Sequence, residues 1–568
     1  MSDPALVDKA RGWRLWLVLI LLLLIAGAIS AKLFSLYLQD QEFLQSQGDA
    51  RSLRTIEVPA HRGMITDRNG EPLAVSAPVA TIWADPKKSD LDNPGLARLA
   101  QLLKSNKKKL VKRLANNRER RFLYLKRQVT PELAEQVRQL RIPGIHVDQE
   151  YKRYYPAAEV ATHLVGFTNL DGRGQEGLEL AFEEWLGAEN GRQLVMKDRL
   201  GRTIKHIREL SPVSNGKSLQ LTIDLRMQYL AYRELKAVVA AHKADGGSLV
   251  MLDSATGEVL AMVNQPSYNP NDPAQRISTA LRNKAMTDVF EPGSTMKPLT
   301  VAAALMSGRY TPSSVVDTSP GYMRVRRKTI RDHRNYGSLD ITGIIAKSSN
   351  VGVAKLALSM EAGSVRNLMS NAGIGQATGV GFPGEQGGRL PFLSKKQDVQ
   401  RAALSYGYGL STTPLQLAQS YLPLANDGLL NPVSLIQGQD MKRDPVRVMP
   451  ATVARQVRGM MESVISVAGT GRRAAVQGYK VAGKTGTVHK VGAQGYIDDQ
   501  YISVFAGMAP AKNPRLVMAV MIDNPRGQEY YGGEVSAPVF SRTMAGALRM
   551  MNVAPDTVIK SNGQVAQR

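Results

Sequence analysis

A serine and a lysine three residues apart, Ser294 and Lys297 in the stretch EPGSTMKPLT, have the spacing of a nucleophile and its base. A helix starting at Thr295 with Ser294 as its cap would put both side chains on one face. The hydroxyl would then lie at the positive end of the helix dipole, one turn from the amine. A lysine stripped of water can take the proton of such a serine. Pro298 would fall among the four amides that have no partner inside the helix, where proline is tolerated. The same spacing occurs at Ser105/Lys108, within a charge run, and at Ser214/Lys217, within a Ser-Asn-Gly loop; both read as coincidence. A capped helix with a solvated lysine competes at Ser294 too.

Two further stretches bear on that competition. Ser348-Ser349-Asn350 places two polar side chains at positions that share no helix face, so Ser348 and Asn350 can converge only on a loop or helix break. Lys484-Thr485-Gly486-Thr487 lies in a strand-like run, where Gly486 has no side chain and admits another backbone. Alone, each is a polar turn or an ordinary strand. Together, in this order and in one apolar region, they describe a site.

The elements that must hold these residues begin near Ser218, where the chain becomes more apolar. Leu225–Ala244 reads as a helix and Gly247–Val263 as a hairpin around Ala-Thr-Gly. Near the end, YKVAGKTGTVHK, YISVFAGMAP and RLVMAVMIDNP read as three successive strands, with helical sequence between the two groups. That pattern predicts an α+β domain with an antiparallel sheet. From Gln39 to about Asn215 the chain has more charge and shorter elements. RGMITDRNGEPLAVS predicts strand, Asn-Gly turn, strand, and TPELAEQVRQL a helix capped by Thr130. GRGQEGLELAFEEWLGAENG predicts one short helix between glycines.

Leu15–Ala31 carries no charge, and the apolar run resumes after Lys32 to Leu38, long enough to span a bilayer if Lys32 snorkels. Lys9, Arg11 and Arg14 precede it, while Asp40 and Glu42 follow, which predicts a cytoplasmic N-terminus. Ala26-Gly-Ala28 could instead be a signal-peptide cleavage site, but the apolar continuation favours an uncleaved anchor. The rest of the chain would then lie outside the cytoplasm.

This bears on the net charge of +24, much of it from Lys104–Arg127, with eleven basic residues and one acid. Outside the cytoplasm nucleic acid is no partner, and anionic lipid or cell-wall polymer takes its place. Leu103, Leu110 and Leu114 recur beneath the charges at helical spacing, so the run also reads as a solvated helix face. Without cysteine there is no disulfide or thiolate site, and seven scattered histidines give no metal-binding pair. No cofactor and no metal are expected.

Ser-x-x-Lys, Ser-x-Asn and Lys-Thr-Gly in this order resemble the penicillin-interacting serine enzymes. Arg62–Gly70, Arg153–Phe167 and Gly174–Gly187 resemble the non-catalytic module of class B penicillin-binding proteins, and SYGYGLSTTPLQLA (Ser405–Ala418) resembles their transpeptidase domain. Pro423 departs from a plain helix after Thr413 and predicts a kink or early stop. The resemblance implies a penicillin-binding, serine β-lactamase-like transpeptidase domain over residues 216–552, with helices on both faces of an antiparallel sheet. It also implies an elongated α+β dimerisation or pedestal module over 39–215, an anchor over 15–38, a cytoplasmic tail over 1–14 and a loose tail over 553–568.

The implied activity is peptidoglycan D,D-transpeptidation in septal wall synthesis, inhibited by β-lactams. Ser294 would be the nucleophile, Lys297 its base, Ser348 and Lys484 the proton path to the leaving group, and Asn350 a holder of the substrate amide. Thr485 and Thr487 would bind the substrate carboxylate, Gly486 would belong to the same substrate-binding strand, and Tyr530 and Tyr531 would line the site or form an exposed pair. Implied partners are peptidoglycan stem peptides, the lipid-linked precursor, β-lactam antibiotics, the membrane, and division proteins including an FtsW-type glycosyltransferase. The implied location is the inner membrane at the septum, with the catalytic domain in the periplasm. An elongation-specific sister enzyme shares every motif, and a membrane-anchored β-lactam sensor would share the acylating residues. A D,D-carboxypeptidase leaves the N-terminal module unexplained, and no deacylating Glu-x-x-Leu-Asn follows Ser-x-Asn as a β-lactamase requires.

Overall fold

A computed structural model describes residues 4–38, 41–198, 203–438, 444–492 and 495–557. Two compact units divide the chain: Met1–Ala60 with Ala188–Asn215, and His61–Gly187 with Gly216–Arg568. The expected module over 39–215 is therefore shared between them. Gln39, Asp40 and the expected tail beyond Thr557 lie outside the described residues.

In the first unit a helix runs from Pro4, ahead of the expected Leu15, to Leu38. Its stretch Gly12–Tyr37 has mean hydropathy 2.6 and no buried residue; among the described residues it is the one helix long and apolar enough to cross a membrane. A helix Gln41–Ser52 follows, and Leu53–Val58, Gly191–Lys197 and Thr203–Ser211 form an antiparallel sheet in that order.

The second unit opens with β1 (Ile65–Thr66) and β2 (Pro72–Ala84), antiparallel across the expected turn, where Gly70 takes φ +88°. β2 pairs with β3 (Leu123–Val129) and β4 (Ile145–Tyr154), and β5 (Leu219–Gln220) runs parallel to β1. Helices Lys107–Ala115 and Pro131–Gln139 pack on this sheet around Ile82, Leu110, Leu114 and Val137. The basic run is helical over Lys107–Ala115, where Leu110 and Leu114 are buried while the lysines stay in water. Gly174–Gly187 forms two short helices, Gly177–Ala181 and Glu183–Leu186, where one was expected.

The three segments that carry the resemblance before residue 215 meet at a buried carboxylate. Glu179 is fully buried and receives Arg62 Nε and Arg153 Nε, each at 2.6 Å, one on each oxygen. Arg62 also donates to Glu179 O at 2.7 Å and reaches Glu183 at 2.7 Å.

α1 (Leu225–Ala241), capped by Asp224, leads into the central sheet. Its strands are β6 (Gly246–Asp253), β7 (Val259–Gln265), β8 (Ala482–Gly492), β9 (Gly495–Ala509) and β10 (Leu516–Asp523), in spatial order β7-β6-β10-β9-β8 and antiparallel throughout. Every residue of β6 is buried, because both faces are covered. Leu249 and Met251 meet α1 and α7 (Ser536–Met550), with Phe540 and Met544. Val250 and Leu252 face the opposite way, into a core with Leu299, Val301 and Val353. Each such apolar side chain contributes about 1.5–3 kcal/mol by leaving water.

The helices of that second face position the polar motifs: α2 (Lys297–Met306), α3 (Ile341–Ala346), α4 (Asn350–Ser359), α5 (Asp398–Ser405) and α6 (Pro414–Ser420). α6 starts with a full capping box between Thr413 and Gln416 and ends at Ser420, and a short helix Leu422–Ala425 resumes with Pro423 in its first turn, so the helical path breaks where a kink or early stop was expected.

Candidate active site

Ser294 does not cap a helix. Gly293–Met296 forms a 3-10 turn, Gly293 takes φ +55°, and α2 begins at Lys297 with Pro298 in its first turn. The turn is held from two sides. Gly293 N donates to Gly407 O at 3.0 Å, and Tyr421, fully buried, donates its hydroxyl to Thr295 O at 2.7 Å. Gly407 has to be glycine, since a Cβ there would stand 2.0 Å from Gly293 O. Gly486 on β8 admits the same turn, as its type and strand position predicted. An added Cβ there would lie 3.0 Å from Pro292 O and 3.1 Å from Thr295 Cγ2.

Lys297 is completely buried, and its Nζ hydrogen bonds to residues other than Ser294. It donates to Ser348 O, to Ser348 Oγ at 3.0 Å and to Asn350 Oδ1 at 2.8 Å. Among the described residues Ser294 Oγ has no hydrogen-bond partner. Spacing along the helix correctly placed lysine and serine on adjoining turns, but the tertiary contact across to Ser348 wins the amine.

Ser348 and Asn350 converge as a helix break allows. Ser348 sits between α3 and α4 in the left-handed region at φ +60°, and Ser349 caps α4 by accepting from Gly352 N at 2.8 Å. Asp332 fastens this turn. It receives Ser349 Oγ and Asn350 N, each at 2.5 Å, and Val351 N at 2.9 Å. Nothing in the sequence marks Asp332 or Tyr421, because each acts on a residue far along the chain.

Lys484 reaches the same hydroxyl from β8, the edge strand. Its Nζ donates to Ser348 Oγ at 3.0 Å and to Thr485 O at 3.1 Å, and it too is completely buried. Burial pushes the Lys484 amine down to about 7. The Lys297 amine is pushed well below the ordinary lysine range by burial first and the neighbouring Lys484 charge second, with Asp332 opposing. One hydroxyl between two dry amines is a proton path: a neutral lysine accepts from Ser348 while a charged one donates to it.

Thr485 is buried with its hydroxyl 2.8 Å from that of Thr470, and Thr487 Oγ1 accepts from Gly532 N at 2.9 Å. Asn350 Nδ2 donates to Arg331 O at 3.0 Å, so both ends of this amide are engaged. Tyr530 stacks between Tyr501 (4.3 Å) and Tyr531 (4.4 Å), and Tyr531 is 6.3 Å from His333, the neighbour of Asp332. Glu291, ahead of the turn, accepts from Gly409 N at 2.8 Å and from Tyr496 Oη at 2.9 Å. Sequence reasoning did not single out Glu291, although it stands three residues before Ser294.

Among the described residues no cluster of histidine, aspartate and glutamate could hold a metal ion. The arrangement can deprotonate Ser294 through a neutral Lys297 and return a proton by way of Ser348.

Residues 247–545 match the family described as penicillin binding protein transpeptidase domain, and residues 57–221 the penicillin-binding protein dimerisation domain. The chain is 44% identical over 556 residues to the peptidoglycan D,D-transpeptidase FtsI of Escherichia coli strain K12, covering 96% of this chain and 93% of that one. It is 42% identical to the probable peptidoglycan D,D-transpeptidase PbpC of Pseudomonas aeruginosa, covering 99% of each. Among solved structures it resembles the transpeptidase domain of Burkholderia pseudomallei penicillin-binding protein 3, with 43% identity and TM-score 0.54, over 60% of this chain and 98% of that one.

Proposed function

The chain belongs to the class B penicillin-binding proteins and is a serine-type peptidoglycan D,D-transpeptidase, and from that premise we propose a role for each residue of the site. Ser294 gives its proton to neutral Lys297, and its Oγ attacks the carbonyl carbon of the penultimate D-alanine of a stem peptide. The carbon–nitrogen bond breaks, and the departing D-alanine nitrogen takes a proton from Ser348, resupplied by Lys484. The amine of a second stem then attacks the ester carbon, loses its proton to the same relay and frees Ser294. Backbone N–H groups of Ser294 and Thr487 stabilise the oxyanion, each donor being worth about 3 kcal/mol of barrier. Thr485 and Thr487 bind the terminal carboxylate; Asn350 orients Lys297 and presents its remaining N–H to the substrate amide. Tyr530 and Tyr531 form a wall of the site.

The observation that carries this reading is the hydroxyl of Ser348 held at 3.0 Å by each of two completely buried lysines. β-Lactams acylate the same serine. Mass spectrometry after benzylpenicillin is expected to place the adduct on the peptide containing Ser294; an adduct elsewhere on folded protein would show that the nucleophile has been misassigned.

The N-terminal helix anchors the chain in the membrane. We propose that residues before it stay cytoplasmic, since Arg14 and the basic residues ahead of it lie on that side and Glu42 on the other. The catalytic unit then faces the periplasm, and cross-linking serves the septum in company with an FtsW-type glycosyltransferase. Protease added to spheroplasts is expected to leave only a short N-terminal fragment. Protection of the whole chain would reverse the orientation, and a mature N-terminus near Ile29 would replace the anchor with a signal peptide.

A further inference from the structure

A cavity of about 270 Å³ opens beside the turn that carries Ser294, lined by Arg389, Phe392, Gln397, Gln400, Tyr408 and Gly409 among others. Its wall touches the catalytic turn directly. Gly407, next to Tyr408, accepts from Gly293 N, and the Tyr408 ring lies 4.0 Å from where a side chain at Gly293 would start.

Three features in and next to this cavity leave groups that the fold uses incompletely. Phe392 is 82% exposed, yet its ring is held by the Arg366 guanidinium 3.6 Å from its centroid. The Nε of that arginine is buried without a partner. The segment Arg389–Gln397 also carries Lys395 and Lys396 and no acid, and among the described residues none of these three cations forms an ion pair. The nearby carboxylates are already engaged: Asp398 by Arg326 (3.3 Å) and Arg401 (3.4 Å), Glu291 by Gly409 N and Tyr496. An apolar ring and an arginine without an ion-pair partner, both lining one cavity, fit a ligand with a carboxylate next to small apolar groups.

We propose that this cavity is a subsite for the carboxylate-bearing part of a peptidoglycan stem peptide, with Arg389 binding the carboxylate and Phe392 covering the adjoining alanine. The proposal rests on the reading of Ser294 as the nucleophile of a D,D-transpeptidase. Stem peptides join D-glutamate through its side chain, which leaves an α-carboxylate two residues before the D-alanine that is attacked. Two extended residues reach about 7 Å, and the side-chain linkage of the D-glutamate adds to that reach. The same chemistry is present in the acylating stem and in the stem that supplies the amine.

The test uses the full chain in detergent and stem peptides with the D-glutamate carboxylate either free or amidated. In the first arm they serve as thioester donors. In the second, a small thioester preforms the acyl-enzyme, and the stems compete with water as acceptors. Wild type is expected to prefer the free carboxylate by about tenfold in KM in one arm, the strength of a charge-assisted hydrogen bond. Arg389→Gln should erase that preference, and Arg389→Lys should keep part of it, with kcat unchanged. Phe392→Ala should weaken free and amidated stems alike. Loss of the preference in the donor arm assigns the cavity to the acylating stem, and loss in the acceptor arm to the amine-bearing one. A preference that persists in Arg389→Gln, or is absent from wild type in both arms, overturns the subsite. Failure of the underlying reading shows separately, as no benzylpenicillin adduct on Ser294, and would overturn both.

Discussion

Lys297→Arg is expected to abolish acylation by a chromogenic cephalosporin as completely as Ser294→Ala does, whereas Lys484→Arg keeps a measurable part of the rate. Arginine carries charge at every accessible pH, so it cannot take the Ser294 proton. Losing a positioned base costs about 10²–10⁴ in rate. Lys484 acts mainly through its charge on the Ser348 proton path and on the substrate carboxylate, and a guanidinium still supplies that charge, though in fork geometry. The wild-type pH profile should follow the same logic. Since the base must be neutral, acylation rises with pH through the depressed lysine pKa and falls on the acid side as both amines charge. The acid limb therefore lies well below the ordinary lysine range. Stopped-flow rates on variants with unchanged thermal unfolding decide the matter; Lys297→Arg outpacing Lys484→Arg would exchange the two roles.

The largest effect on stability is expected at Glu179, far from this chemistry. Its carboxylate is the shared partner of Arg62 and Arg153, all three nearly or wholly buried. Glu179→Ala leaves Arg153 with no counter-charge and Arg62 with only the partly exposed Glu183. Removing one partner from a buried ionic group costs about 3–5 kcal/mol. In a unit this long, a loss of that size should lower the unfolding temperature by roughly 3–5 °C. Glu179→Gln, which keeps an acceptor but no charge, should fall between. Differential scanning calorimetry reads both. An unchanged transition in Glu179→Ala would mean that the two arginines find other partners, such as Glu183.

The same cluster shows where sequence reading stopped. Arg62, Arg153 and Glu179 lie in the three segments that carried the family resemblance, yet nothing in their spacing says that they meet. The convergence is made by β2 and β4 and by the short helices after Gly174, whose packing is non-local. The catalytic motifs were more legible because each has a local signature. Gly486 predicted a close approach, the Ser348–Asn350 spacing predicted a helix break, and Pro298 predicted an early helical position. The error at Ser294 was local too. A cap and a 3-10 turn make the same use of Pro-Gly-Ser-Thr, and Gly407, more than a hundred residues on, decides between them by accepting from Gly293. Lys297 turned to Ser348 for a comparable reason, since i, i+3 geometry permits a contact but cannot rank it against one from another helix.

Ser348 holds a backbone conformation at φ +60° that costs an ordinary residue roughly 1–2 kcal/mol and costs glycine nothing. Judged by backbone strain alone, the favoured residue at this position is glycine, which would strip the hydroxyl from between the two lysines. Selection for heat resistance and selection for wall synthesis therefore pull this codon in opposite directions. A library sorted on thermal survival without an activity filter would enrich a sturdier protein that can no longer cross-link.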